Sequence, residues 1–186
     1  MPLLTLLLLT PIFGAGWILV QRGSYQRHSA ILFSAATLLI AVGILLQFDP
    51  HNTTLQFSES VVWNARMGTS YAVGIDGIAL AMVLLATLLV FVAILASGAI
   101  QERSRSYYAL ILFLESAMIG VFIAQDWALF YVFWEMTLIP LFFLIDRWGG
   151  QRRSMAALNF VLYTMGGSVF MLISLLVLFD AMPDHS

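Results

Sequence analysis

Glu135 stands deep inside an apolar run, between Trp134 and Met136 and with no basic residue closer along the chain than Arg147. An acid in such a setting points to one chemistry, the uptake and release of a proton. An ionised carboxylate at bilayer depth costs several kcal/mol unless it faces a partner, a bundle interior or a water-filled path. Withdrawal from water also disfavours its charged form. The structural alternative is a protonated glutamate hydrogen-bonded to a neighbouring helix. Five residues on, Pro140 removes the amide that would bond the carbonyl of Met136 and so predicts a local backbone break beside the acid. A packing kink without a role in transport fits the same residue. Glu115 is a second buried candidate. It precedes Asp126 by 11 residues and Glu135 follows Asp126 by 9, so a tight antiparallel hairpin about Asp126 sets both acids at similar depth. If they face each other they share a proton and titrate as a pair. Helix rotation decides that, and Glu115 fits a relay member or a satisfied structural acid equally.

The elements that hold these residues are apolar helices. Hydrophobic residues make up 61% of the 186 and charged residues only 10%, with a mean hydropathy of +0.95. Soluble domains carry about 25% charged residues, so a surface covered by lipid is required. Six apolar stretches approach the roughly 20 residues of a span: 3–20, 30–48, 75–98, 107–124, 127–145 and 155–179. None alternates polarity as a barrel strand would. The expected fold is an all-α polytopic membrane bundle of about six transmembrane helices, forming one domain over 1–186. The first stretch has no basic residues before it, which suits a retained span better than a cleaved leader. Residues 49–74 are expected as one long loop.

Seven of the eight basic residues, all arginines, fall in alternate connectors at positions 22, 27, 103, 105, 147, 152 and 153, and Arg66 falls opposite. By the positive-inside rule the protein is expected in a bacterial inner (cytoplasmic) membrane, with both termini and the long connector on the periplasmic side. The lack of cysteine excludes thiolate metal sites, disulfides and cysteine nucleophiles. His28 and His51 lie in connectors and His185 in the tail, away from a haem or metal site in the membrane interior. A net charge of −2 gives no electrostatic footprint for nucleic acid. No phosphate-binding loop or hydrolase motif is present, so no catalytic residue, metal or cofactor is expected in this chain. Asp76 suits a helix cap, Asp126 and Asp146 suit the interface, and Trp127, Tyr131, Trp134 and Trp148 suit belt and packing roles. Gly166-Gly167 is expected to admit a close helix neighbour.

The run Phe130-Tyr-Val-Phe-Trp-Glu-Met-Thr-Leu-Ile-Pro-Leu-Phe-Phe-Leu-Ile145, followed by Arg147-Trp148-Gly149, resembles the fifth-helix signature of the antiporter-like subunits of respiratory complex I. The chain most resembles their subunit M, or chain 4, with Gly74-Ile-Asp-Gly-Ile-Ala-Leu80 and Gly120-Val-Phe-Ile-Ala-Gln-Asp126 agreeing. The resemblance implies proton translocation coupled to NADH–quinone electron transfer, with Glu135 in the proton path. It implies other membrane subunits of complex I or a related complex as partners, and redox cofactors held elsewhere. Cation/proton antiporter and membrane-bound hydrogenase subunits share much of the pattern and imply a Na⁺/H⁺ antiporter or hydrogenase subunit as an alternative. Family members have about fourteen helices and a lysine in a broken seventh helix. This sequence has six stretches and no lysine, so an N-terminal fragment, a split subunit or an inert scaffold piece are also implied.

Overall fold

A computed structural model describes residues 2–21, 25–52, 54–64 and 69–181. Arg22, Arg66 and His185 lie outside the described residues. Six α-helices follow in order: α1 (Leu3–Val20), α2 (Gln26–Gln47), α3 (Gly77–Ala96), α4 (Ser104–Ile123), α5 (Trp127–Trp148) and α6 (Arg153–Ala181). Each is long and apolar enough to cross a bilayer. The 22 residues of α5 span about 33 Å at 1.5 Å per residue, which matches a hydrocarbon layer of about 30 Å.

The connector expected as a loop is instead an antiparallel hairpin, β1 (Gln56–Asn64) and β2 (Thr69–Ile75). Its strands are rich in β-branched and aromatic residues such as Phe57, Val61, Trp63, Tyr71 and Val73, which favour extended backbone. Side chains from distant helices fasten it. Glu59 accepts from the amide of Leu4 at 2.9 Å, from the amide of Thr5 at 3.3 Å and from the Thr5 hydroxyl, which also meets the Tyr71 hydroxyl. This carboxylate therefore fills the cap position of α1, where an anion suits the helix dipole. On the other strand, the Ala72 carbonyl accepts from the amide of Gln125 at 2.8 Å, and Gln125 Nε2 donates to Gly74.

The third helix begins two residues later than the apolar stretch because Asp76 caps it, accepting from the Ala79 amide at 2.7 Å, while Ile75 ends β2. At its other end α5 runs on to Trp148 and takes up Asp146 and Arg147, which the sequence assigns to a connector. An arginine in a helix's last turn suits its negative end.

The centre of the bundle is α4, packed against α1, α2, α3 and α5. Its buried stripe joins two apolar clusters, one containing Ile119 and Ile123 with Leu4, Leu7 and Val83, the other Tyr108 and Leu112 with Ile94. Two glycines allow the closest approaches. A Cβ on Gly120 would lie 2.3 Å from the Phe133 ring, and one on Gly14 would lie 2.6 Å from Phe33. At Gly166 and Gly167 nothing lies within 4 Å of such an atom. No close neighbour stands there among the described residues, because α6 rests mainly on α5 and presents its other faces outward.

The arginine-rich end is tied as well. Arg27 donates to the carbonyl of Leu95 at 2.7 Å, at the negative end of α3, and Trp148 Nε1 donates to Glu102 at 3.1 Å. Among the described residues, Arg27, Arg103, Arg105, Arg147, Arg152 and Arg153 all lie at the bundle end opposite the hairpin, since successive helices alternate in direction.

Candidate functional site

Asp126 sets the position of α5. Its Oδ1 accepts from the amides of Ala128 and Leu129 at 2.8 and 3.1 Å, capping the helix, and its Oδ2 accepts from Ser70 of β2 at 2.8 Å. One carboxylate thus fixes both the start of α5 and its attachment to the hairpin. Glu135 is the ninth residue of α5, about 12 Å along the axis.

Glu135 opens on a groove of about 660 Å³ between α5 and α6, whose walls include Met136, Ile139, Leu158, Val161 and Met165. The walls are almost wholly apolar. Its Oε1 is shielded from solvent and has no hydrogen-bond partner among the described residues. The Tyr131 hydroxyl, one turn earlier on the same face, interacts with Glu135 and with Ser168 of α6. Ser168 is buried and donates to the carbonyl of Met165 at 3.1 Å. The geometry is that of one acid, one phenol and one serine in an apolar wall, a set able to hold and hand on a proton.

Pro140 is buried about 1.4 turns beyond Glu135, and α5 remains helical through it. The expected break is therefore confined to one missing backbone hydrogen bond, at the carbonyl of Met136.

Glu115 sits in a different environment. It is 0% exposed, and neither carboxylate oxygen has a hydrogen-bond partner among the described residues. The adjacent Ser116 donates to the carbonyl of Leu8 on α1 at 2.8 Å. No hydrogen bond or charge interaction joins Glu115 to Glu135 among the described residues. One acid is enclosed by helices while the other opens toward α6, so the coupled pair is not formed in this structure.

The three aspartates at the helix ends are structural. Asp76 and Asp126 are caps, and Asp146 accepts from Ser154 at 2.7 Å and pairs with its neighbour Arg147. No group of three or more His, Cys, Asp or Glu placed to hold a metal occurs among the described residues. Sequence reasoning assigned Tyr131 to packing, although its four-residue spacing from Glu135 places both on one helix face. Nothing in the sequence marks Ser168, which reaches the site only because α6 folds back on α5.

Residues 124–185 match the family described as NADH:quinone oxidoreductase/Mrp antiporter, TM. This segment contains Glu135, Pro140 and Ser168 but not Glu115. The chain is similar to the F(420)H(2) dehydrogenase subunit M of Methanosarcina mazei, 37% identical over 181 residues, 96% of this chain and 37% of the relative. It is 38% identical over 184 residues to the NADH-quinone oxidoreductase subunit M of Rhodobacter capsulatus, 95% of this chain and 36% of that one. Among solved structures, respiratory complex I from Thermus thermophilus with bound NADH contains a chain that matches with a TM-score of 0.82 and 28% identity, covering 93% of this chain and 35% of that one. The Mrp complex from Dietzia sp. shares the fold with a TM-score of 0.82 at 22% identity, over 96% of this chain and 19% of that one. The chain spans a little over a third of the length of the two curated relatives.

Proposed function

We propose that this chain, whose residues 124–185 match the transmembrane family of NADH:quinone oxidoreductases and Mrp antiporters, is part of a membrane subunit that moves protons as quinone-linked electron transfer proceeds. Glu135 is the group that takes up and releases the proton. Tyr131 and Ser168 steady it, and the freed carbonyl of Met136 offers water or a polar group a place beside it. Glu115 is a weaker second candidate, buried and not among the residues that line the groove. Electrons pass through other subunits, with which this one assembles in the membrane. The protein sits in a bacterial cytoplasmic membrane with its arginine-rich end inward and both chain ends outward, as arginine placement favours. Coupling arises when a charged partner moves toward or away from Glu135 and changes its proton affinity.

What supports this reading above all is the Glu135 carboxyl, set mid-helix in an apolar groove with one oxygen shielded and unpartnered among the described residues. The test is Glu135→Gln beside Glu135→Asp in the assembled complex, with quinone reduction and proton uptake into inverted vesicles measured separately. Glu135→Gln is expected to lower proton uptake per electron, because the step through this site slows about a hundredfold or more on loss of a positioned proton-transfer group. Glu135→Asp keeps a substantial part of that uptake. Unchanged proton uptake in a normally assembled Glu135→Gln complex would leave the chain a scaffold.

A further inference from the structure

At the arginine-rich end, α1, α4 and α5 leave a second opening, a slot of about 370 Å³. Phe143 lines both this slot and the Glu135 groove and stands between them. The inner walls of the slot are Leu19, Leu110, Phe113 and Phe143, and its mouth carries Arg103, Ser106, Arg147 and Trp148. We propose that the slot binds one anionic phospholipid, with an acyl chain along the apolar walls and the phosphate between Arg103 and Arg147.

Depth, charge and preorganisation favour this occupant. From Arg103 to Phe113 along α4 the slot runs roughly 15 Å, the hydrocarbon thickness of one leaflet. A free anion would use the mouth and leave those walls empty. Both arginines are exposed, and the one ion pair among the described residues engages Arg147 only through Nε, with Asp146 at 3.4 Å. The two guanidinium groups therefore remain available to a phosphate, which arginine binds in fork geometry. Arg103 is also the residue preceding the first turn of α4, where the helix dipole favours an anion.

The mouth is built before any ligand arrives. Arg103 has φ 50° and ψ 36°, the left-handed region that residues other than glycine rarely adopt. The connector carrying it is fastened to the end of α5 that carries Arg147: Trp148 Nε1 donates to the Glu102 carbonyl, and the Tyr107 and Trp148 rings meet edge to face at 5.2 Å. Basic pockets between transmembrane helices are suited to anionic headgroups. Trp148 stands at the level where indole rings favour the membrane interface.

The test uses the purified chain in nanodiscs that contain phosphatidylglycerol and phosphatidylcholine in equal amounts, with retained lipid counted by native mass spectrometry. One phosphatidylglycerol per chain is expected, in preference to phosphatidylcholine. Arg103→Gln and Arg147→Gln should each weaken its retention about fivefold and together about thirtyfold, without lowering the melting temperature. Excess inorganic phosphate should leave the lipid in place. Equal retention of the two lipids, undiminished retention in the double variant, or displacement by inorganic phosphate would each overturn the assignment. Should the double variant fail to fold, Arg147→Gln alone decides by the same readouts.

Discussion

Gly120→Ala tests how tightly α4 and α5 are fitted. The new methyl would lie 2.3, 2.4 and 2.7 Å from three atoms of the Phe133 ring, where ordinary contact begins at 3.4 Å. The ring or the helix must retreat by 3.4 − 2.3 = 1.1 Å. Phe133 is only 7% exposed, so it has no open space to swing into. Overpacking of this kind costs about 1–3 kcal/mol, while alanine recovers about 1 kcal/mol of helix propensity over glycine. With three overlaps on one ring the upper end of the cost applies, for a net loss of about 1–2 kcal/mol. That corresponds to a fall of about 3–6 °C in melting temperature for a chain of this size. Thermal denaturation in detergent, followed by loss of the monodisperse peak, measures it. Gly166→Ala is the control, since its methyl meets nothing within 4 Å and should hold or raise the melting temperature. Combining Gly120→Ala with Phe133→Leu should cost less than the two changes summed, because the smaller side chain removes the overlap. A Gly120→Ala protein as stable as the parent, or strict additivity with Phe133→Leu, would refute the packing argument.

Replacing Glu59 with alanine should lower stability by about 2 kcal/mol, since a carboxylate accepting from the Leu4 and Thr5 amides at a helix start is lost; faster hydrogen exchange at the start of α1 is the measurement. Asp126→Ala should cost about 1–2 kcal/mol as a cap and also expose the Ser70 amide, so exchange should rise in both β2 and the first turn of α5. Burial is the main cause holding the Tyr71 phenol above its ordinary value, and the Glu59 carboxylate adds to it against the Thr5 hydroxyl. The folded protein keeps that proton where the unfolded chain has lost it, so stability is present below the usual tyrosine range and declines as pH rises above about 10. Melting curves for Tyr71→Phe should therefore fall less steeply with alkaline pH than those of the parent, and parallel curves would contradict this.

The six helices were legible because each is a continuous apolar run, and so was the cap at Asp76, while Asp126, read as an interfacial residue, caps α5 as well. The hairpin was not legible. Val61-Val62-Trp63 breaks the alternation of a half-buried strand, and what secures β1 is a bond from Glu59 to residues at the start of α1, more than fifty positions away in sequence. Long-range attachment leaves no local trace. The depth of Glu135 and Glu115 followed from counting residues, but their facing did not, because rotation about a helix axis is set by neighbours such as the Gly120–Phe133 contact. Gly166-Gly167 met the same limit: a small pair permits close approach, and no helix among the described residues makes one there.

The hairpin gathers the outer ends of α1, α4 and α5 into a single rim, and the Arg27 and Trp148 bonds lash α3 and α5 at the opposite end. Among the described residues α6 is tied to α5 alone, by Ser154 on Asp146 and by Arg153 on the Arg147 carbonyl at 2.8 Å, and otherwise meets the rest along one seam. A stave held by one neighbour, and pinned to it at one end, has the most room to lean. Widening the seam would wet Glu135 and closing it would dry the acid again, while the five bound helices keep their places.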